Sequence, residues 1–258
     1  PVMQLYLTNR CNMRCPHCYM NAGEAIGTEL STEEVFAILN AYRQNDGVDV
    51  KLTGGEIALR PDLFKTVKYG ADIGLHMELL TNGTLWTKED VARISPYVTV
   101  VQISVDGYNE EENAKVRGKG NFTKALSTIH EFAVSGVRVH VAMTALYSPD
   151  LSAKIDDYAM FAQKLKERYK NFDVDVFIAT GLLPGRYGEL TTEESEKYTA
   201  ATQAIYSRYQ GCQSFVDYGF VGRHKAGVIL TNCSYGYPSI ASNGDVFMCP
   251  IISATQPV

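Results

Sequence analysis

Hydrophobic positions along the chain follow two alternating periods. Short apolar and β-branched runs, typical of buried strands, are found at Val2–Thr8 and at residues 48–53, 76–81, 97–105, 137–144 and 174–179. Between them, apolar residues recur every three or four positions, which is the spacing of helices that face a core. Helices are predicted after the capping box at residues 31–34, from Pro61, at Lys88–Ile94, from a cap at Asn121, and over about residues 151–168 and 191–210.

Six strand-then-helix units predict an α/β fold whose parallel strands are covered by helices on the outside. Ligands of such sheets gather beyond the carboxyl ends of the strands, and the polar clusters of this chain follow strands. The composition changes after about Gly188, where a capped helix leads into a Gly- and Tyr-rich segment. We therefore predict a domain of residues 1–188 and an extension of residues 189–258.

Composition and charge narrow the class of partner. The chain has 258 residues, 45% of them hydrophobic, and a formal net charge of −5. It has no basic stripe that would bind a phosphate backbone, so nucleic acid is not an expected partner. It has neither an apolar run of the roughly 20 residues that span a bilayer nor a signal peptide, which predicts a cytoplasmic protein without a membrane partner. In that compartment, six cysteines indicate metal or redox chemistry rather than disulfides.

Three of these cysteines lie in one short segment directly after the first predicted strand. Cys11, Cys15 and Cys18 have the spacing C-x3-C-x2-C. Cysteine thiolates hold iron–sulfur clusters, normally four per cubane. Three ligands therefore leave one iron open to a bidentate group. A structural zinc site is the alternative, but it prefers four ligands in pairs, and this segment contains a single C-x2-C pair.

This cysteine motif resembles that of the radical S-adenosylmethionine (SAM) superfamily. The resemblance implies a partial (β/α)6 TIM-like barrel and a [4Fe–4S] cluster whose open iron binds the amino and carboxylate groups of SAM. One-electron reduction would then cleave SAM to methionine and a 5′-deoxyadenosyl radical, which abstracts hydrogen from a substrate. The residue before the third cysteine, usually aromatic in the family, is His17, from which a backbone contact near the adenine is still expected.

Further SAM contacts are expected in the loops after strands two, three and four. Gly54 and Gly55 allow close backbone approach, and a strand-end carboxylate can accept hydrogen bonds from an ammonium. The resemblance implies this ammonium role for Glu56, a ribose contact for Ser104 and a SAM carboxylate contact for Arg117. The remaining expected contacts are Asn82 and Asp106. Ordinary turns at the Gly-Gly-Glu, Asn-Gly and Asp-Gly positions, and a solvated arginine, are the alternatives.

Near the C-terminus, Cys233 and Cys249 enclose a predicted hairpin that turns at Asn243-Gly244. Their spacing resembles the opening of the SPASM extension of radical SAM enzymes, which binds auxiliary iron–sulfur clusters through seven cysteines. Only the first two are present, so we expect either a truncated chain or a shortened auxiliary site. Cys212 does not fit the pattern and is interpreted as a buried or free thiol. Residues 183–186 resemble a stretch common just before this extension.

The resemblance implies an enzyme that modifies a peptide or protein, because SPASM-type members commonly mature ribosomally made peptides. Cofactor biosynthesis, by a haem-type decarboxylase or a quinone-cofactor maturase, is one alternative. A non-catalytic zinc- or cluster-binding module is the other. A flavodoxin- or ferredoxin-like protein is the expected electron donor. Position alone nominates Tyr19, Asp106, His140 and Tyr187 as substrate-side residues.

Overall fold

The computed structural model describes residues 2–179, 182, 185–186, 188–209 and 238–247. The strands in these ranges are β1 (Val2–Thr8), β2 (Asp49–Gly54), β3 (His76–Thr81), β4 (Val100–Ser104), β5 (Arg138–Met143), β6 (Val174–Ile178), β7 (Ser239–Ile240) and β8 (Val246–Phe247). The helices are α1 (Thr32–Gln44), α2 (Leu63–Asp72), α3 (Lys88–Ile94), α4 (Glu110–Arg117), α5 (Asn121–Val134), α6 (Ile155–Arg168) and α7 (Thr192–Tyr209).

The strands form one sheet in the order β6-β5-β4-β3-β2-β1-β7-β8. Strands β1 to β6 are neighbours in chain order, and every adjacent pair among them is parallel. Strand β7 adds a parallel partner on the free side of β1, and β8 pairs with it antiparallel. The predicted α/β fold with six parallel strands is confirmed, as is the hairpin around Asn243-Gly244.

One face of the sheet forms the core with the helices. A row of buried side chains crosses five strands in register, Leu5, Leu52, Leu79, Val101 and Val139, each 0% exposed. Burial of each such side chain contributes about 1.5–3 kcal/mol. Because strand side chains alternate between faces, the intervening residues Gln4, Lys51, Glu78 and Gln102 belong to the opposite, concave face. That face is polar and leads toward the site.

The helix starts follow local capping chemistry. Ser31 caps α1 in the predicted capping box, since Glu34 N donates to Ser31 Oγ (3.2 Å) and Ser31 N donates to Glu34 Oε2 (2.8 Å). Two predicted starts are shifted: Asp62 rather than Pro61 precedes α2, and Gly120 rather than Asn121 precedes α5. Helix α4 was not predicted from the sequence. Asn109 caps α4 by accepting a bond from Glu112 N (2.9 Å), and three glutamates occupy its first turn.

Several predictions concern residues at or beyond the end of the barrel. Cys212, Cys233, Cys249 and Tyr187 lie outside the described residues. The boundary at residue 188 stays a prediction, since α7 packs against α6 while β7 and β8 continue the sheet. No helix in the described ranges is long and apolar enough to cross a membrane, and the cytoplasmic location stays a prediction.

Candidate functional site

A cavity of about 400 Å³ lies at the carboxyl ends of the parallel strands, beneath the loop that follows β1. Its walls contain most of the residues that the sequence analysis nominated: Cys11, Cys15, His17, Cys18, Tyr19, Gly54, Gly55, Asn82, Ser104 and Arg117. Glu56 and Asp106 are fully buried and do not line it. The fold therefore brings together segments that are more than 100 residues apart in the chain.

The cysteine loop leaves the end of β1 and returns beside it. Cys11 N donates to Gly23 O (2.9 Å), and Gly23 N donates to Asn9 O (2.8 Å), so the loop is closed at its base. Within it, Cys18 N donates to Cys15 O (3.2 Å), which forms the tight turn between the last two cysteines. All three cysteines are free thiols and line the same cavity.

The environment of the thiols is desolvated. Burial raises the pKa of Cys15 to about 11 and also raises the pKa of Cys11. Arg117 opposes both shifts, because its positive charge favours the thiolates. Among the described residues, no three His, Cys, Asp or Glu side chains are grouped as ligands of one metal ion. The cysteines of a cubane each bind a different iron and need not converge in that way.

The Gly54-Gly55-Glu56 segment holds the start of the cysteine loop through its backbone. Gly55 N donates to Thr8 O (2.8 Å) and Glu56 N donates to Arg10 O (2.8 Å). A Cβ atom on either glycine would overlap the backbone of these acceptors. The close approach predicted from the two glycines is therefore an approach to the protein's own chain, while their other side faces the cavity.

The Glu56 carboxylate is occupied by bonds within the protein. Its Oε1 accepts from Thr81 Oγ1 (2.6 Å) and Ala58 N (3.0 Å), and its Oε2 accepts from Asn82 N (2.7 Å). Burial raises its pKa against the opposing effect of these bonds. In this arrangement Glu56 joins the ends of β2 and β3. Its predicted contact with an ammonium stays a prediction.

Asn82 reaches from the end of β3 to the cysteine loop. Its Nδ2 donates to Asn12 Oδ1 (2.8 Å), and Asn12 Nδ2 donates in turn to Thr84 Oγ1 (3.0 Å). The circuit is closed by Thr84 Oγ1, which donates to Asn82 Oδ1 (2.6 Å). Asn82 starts the predicted Asn-Gly turn and also lines the cavity, and its predicted contact with SAM stays a prediction.

Asp106 lies behind the cavity wall and forms a buried cluster of ionisable groups with Arg117 and His17, which line the cavity. Arg117 Nε donates to Asp106 Oδ2 (2.6 Å), and His17 Nε2 lies 3.4 Å from the same oxygen. Asp106 Oδ1 accepts from Thr144 N (2.9 Å). Burial opposes the charge of Arg117, but Asp106 and the nearby thiols outweigh it and raise its pKa. The alternative of a solvated Arg117 is wrong, because its side chain is 11% exposed.

The surroundings of His17 disfavour its charged form. Burial lowers its pKa, and this effect exceeds the opposing attraction of Asp106. Its Nδ1 is buried without a hydrogen-bond partner among the described residues. A buried polar atom without a partner indicates a place for a ligand or a water.

The concave floor of the cavity carries a second set of polar groups. Lys51 Nζ is 3.2 Å from Glu78 Oε1, and Gln4 Nε2 donates to Tyr6 Oη (2.8 Å). Gln102 also lines this floor. Beside it, burial lowers the pKa of His140 to about 4, with Lys51 adding to the shift. His140 does not line the cavity, although its ring contacts Phe177, which does (centroids 4.6 Å apart).

Sequence reasoning missed residues that support the site without lining it. Asn12 and Thr84 are polar residues in loops, without a spacing that marks them. Arg186 donates from Nη1 to Cys15 O (2.9 Å) across 171 positions of sequence, and from Nη2 to Ala22 O. Its segment was noted only for its resemblance to a stretch before the SPASM extension. Such long-range contacts depend on the tertiary structure.

Comparisons with known proteins agree with this architecture. The mycofactocin maturase MftC of Mycobacterium ulcerans is 28% identical over 254 residues, which are 95% of this chain and 66% of that protein. The Fe-coproporphyrin III synthase of Methanosarcina barkeri is 34% identical over 147 residues, 56% of this chain and 37% of that protein. The chain thus spans less than two thirds of the length of either relative.

Among solved structures, Streptococcus suis SuiB bound to its precursor peptide SuiA has a TM-score of 0.68 to this chain at 16% identity. The alignment covers 100% of this chain and 61% of SuiB. At that identity the likeness concerns the fold, and it confirms the predicted partial barrel.

A family model described as the Radical SAM superfamily matches residues 5–181, well over half of the chain. The matched range contains the cysteine loop, the Gly-Gly-Glu segment, the second half of β1 and the whole of β2 to β6. Members of this family use a [4Fe–4S] cluster together with SAM. The protein belongs to the radical SAM superfamily.

Proposed function

We propose that Cys11, Cys15 and Cys18 bind a [4Fe–4S] cluster and that the adjoining cavity binds SAM. The observation that carries this proposal is the grouping of the three thiols of one loop on a single cavity at the carboxyl ends of parallel strands. A reduced cluster and SAM together supply a radical that abstracts a hydrogen atom from a substrate. The protein's own task is to bind, orient and enclose these groups.

The residues present fit such groups. Three cysteines leave the fourth iron for an exogenous ligand. Arg117 provides a buried positive charge beside the thiols, which favours their ionised form and an anionic ligand. His17 lines the same cavity, and its buried Nδ1 has no hydrogen-bond partner among the described residues. Arg117 thus supplies charge balance, the set of three cysteines leaves a position for chelation, and His17 supplies an unused hydrogen-bonding atom.

Within the cavity, we assign Arg117 to the SAM carboxylate, Ser104 to the ribose and the His17 segment to the adenine. Gly54 and Gly55 offer backbone toward the SAM amino group. Because the oxygens of Glu56 are engaged by Thr81, Ala58 and Asn82, its first role is to position that wall. Asn82 and Asp106 are assigned the same positioning role, through the cysteine loop and through Arg117 respectively.

The proposed substrate is a peptide or protein, whose reacting residue enters the concave floor. This rests on the polar floor formed by Gln4, Lys51 and Gln102, on the maturase name of the relative MftC, and on the precursor peptide bound to SuiB. We further propose a flavodoxin- or ferredoxin-like protein as the one-electron donor. Residues 1–188 are proposed as the catalytic domain and residues 189–258 as the start of a SPASM-like extension, with Cys233 and Cys249 as auxiliary cluster ligands.

A second candidate function is a step in haem-type cofactor biosynthesis. It is favoured by the similarity to the Fe-coproporphyrin III synthase. The two candidates require different occupants of the floor, since a peptide can thread through an open groove whereas a tetrapyrrole requires a wide, flat cavity. A competition experiment with a leader-type peptide and an iron porphyrin, reading product by mass spectrometry, separates them.

The test of the proposed function is anaerobic reconstitution with iron and sulfide. We expect four irons per chain at the cysteine loop and dithionite-dependent conversion of SAM to 5′-deoxyadenosine. The Cys15→Ala variant should lose both, and the Cys212→Ala variant, which removes a cysteine outside the loop motif, should keep both. Zinc instead of iron, or a reconstituted cluster without SAM cleavage, would overturn the proposal. Iron beyond four per chain would support an auxiliary site.

A further inference from the structure

We infer that Arg186 is a positioning residue of the cysteine loop. Its guanidinium, in the segment that follows β6, holds the loop in place and tunes the cluster's reduction potential. This inference rests on the proposed cluster site. It concerns a residue outside the cysteine motif and outside the range that the family model matches. It follows from contacts between the loop after the first barrel strand, β1, and the segment after the last, β6.

The two arms of the guanidinium span the loop. Nη1 donates to the carbonyl oxygen of Cys15 (2.9 Å), in the middle of the loop, and Nη2 donates to the carbonyl oxygen of Ala22, at its base. Ala22 directly precedes Gly23, whose bonds with Cys11 and Asn9 close the loop. Arginine suits this task, because its planar fork holds two acceptors in a fixed geometry.

The bond to Cys15 reaches the part of the loop that sets the ligand spacing. The same carbonyl oxygen accepts from Cys18 N (3.2 Å), so one acceptor joins the second cysteine, the third cysteine and Arg186. Two lone pairs allow both bonds. The following residue, Pro16, has no N–H to offer the loop. Loss of Arg186 would therefore loosen the turn on which the relative positions of two cluster ligands depend.

Gly185 brings this segment into contact with the loop. A Cβ atom at Gly185 would lie 2.7 Å from the carbonyl carbon of His17, which no relaxed contact allows. Gly188 N donates to Gly185 O (2.9 Å) and turns the chain back after the brace. Helix α7 starts at Thr192, four residues later. Gly185 and Arg186, which lie between β6 and α7, are thus in direct contact with the cysteine loop.

Charge gives this brace an electrochemical consequence. Reduction adds one negative charge to a cluster, and the potential of an iron–sulfur cluster depends on nearby charge and hydrogen bonding. A fixed guanidinium bonded to the ligand loop favours the reduced state. Its removal should lower the midpoint potential, whereas a lysine, which keeps the charge and loses the fork, should mainly loosen the loop.

The experiment compares Arg186→Gln, Arg186→Lys and Gly185→Ala with the unmodified chain after anaerobic reconstitution. The readouts are the rate of iron release to a chelator and the midpoint potential from a redox titration followed by electron paramagnetic resonance. Arg60→Gln is the matched control, because Arg60 also donates to two backbone carbonyls, those of Leu7 (3.1 Å) and Leu30 (2.9 Å), outside the cysteine loop.

We expect Arg186→Gln to release iron at least about tenfold faster, the factor that corresponds to the loss of one charged hydrogen bond, and to have a lower midpoint potential. Arg186→Lys should release iron faster at nearly unchanged potential, Gly185→Ala should release iron faster, and Arg60→Gln should lower thermal stability without moving the potential. An unchanged release rate and potential in Arg186→Gln, or equal shifts in Arg60→Gln, would overturn the inference. Failure of the unmodified chain to assemble a cluster would instead contradict the proposed function.

Discussion

Replacement of Glu56 by glutamine tests whether the Gly-Gly-Glu carboxylate is an internal brace. Glutamine has the same shape but only one acceptor oxygen. If the glutamine oxygen takes the Oε1 position, it keeps the bonds from Thr81 Oγ1 and Ala58 N. The NH2 group of the glutamine then points toward Asn82 N, which in the unmodified protein donates to Glu56 Oε2 (2.7 Å). A buried N–H then faces a donor, in a site where Glu56 and Asn82 are 0% and 5% exposed.

A buried donor left without its acceptor costs about 1–3 kcal/mol of folding free energy. For a chain of this size, each kcal/mol lowers the Tm by about 2–4 °C. A midrange loss of about 2 kcal/mol therefore predicts a Tm roughly 4–8 °C lower for the Glu56→Gln apoprotein. Thermal unfolding followed by circular dichroism without iron or SAM measures this quantity.

The control is Glu34→Gln at an exposed helix start, where a single carboxylate oxygen, Oε2, accepts from both Ser31 N and Ser31 Oγ and the glutamine oxygen can take its place. We expect that surface change to alter stability by less than about 0.5 kcal/mol. An unchanged Tm of the Glu56→Gln apoprotein would refute the brace. SAM affinity, measured separately on the reconstituted protein, then tests the prediction that Glu56 also contacts the ammonium, which predicts a loss of affinity of about tenfold or more.

Three further changes test the floor and the loop. Burial lowers the pKa of His140 to about 4 in the folded protein, below the unfolded value of about 6.5. Its neutral form therefore contributes stability above pH 6.5, and this contribution is lost as the pH falls toward 4. The free energy of unfolding of His140→Gln should depend less steeply on pH over that range in acid titrations, and an unchanged slope would contradict this. Lys51→Met should keep SAM cleavage to 5′-deoxyadenosine but lower the yield of modified peptide, measured by mass spectrometry, and equal loss of both would argue against a substrate-side role. Gly55→Ala should overlap the backbone of Arg10, cost about 1–3 kcal/mol as overpacking does and reduce iron content, whereas normal iron loading would show that the loop can shift.

The order of the barrel elements was predictable because local signals and the global fold agree. The six parallel strands carry apolar runs whose alternate residues face the helices, and the Ser31 cap follows a well-defined local pattern. Helix α4 was not predicted because its segment is mostly charged, and such a composition is typical of a loop. The decisive signals were Asn109 and the glutamates that follow it. This helix delivers Arg117 to Asp106, so the missed element carries part of the site.

The nominated residues were mostly found around one cavity, but the direction of their bonds was not predictable. Motif order indicates which loops meet at the strand ends. It does not indicate whether the Glu56 carboxylate points into the cavity or back into the protein, because both side-chain orientations are compatible with the same backbone conformation. That choice depends on two hydrogen-bond donors, Thr81 Oγ1 at the end of β3 and Asn82 N in the following turn, which are 25 and 26 positions away in the sequence.

The bonds around the cysteine loop explain why its neighbours are polar although they are buried. Besides its internal bonds, the loop is held by partners from other parts of the chain: Glu56 N donates to Arg10 O (2.8 Å), Asn82 Nδ2 to Asn12 Oδ1 (2.8 Å) and Arg186 Nη1 to Cys15 O (2.9 Å). Glu56 and Asn82 lie just after the ends of β2 and β3. A loop fixed at three points by the barrel loses less conformational entropy when it binds a cluster than a free loop would. These polar partners thus preorganise the cysteine loop, and Asn82 serves two tasks because it also lines the cavity.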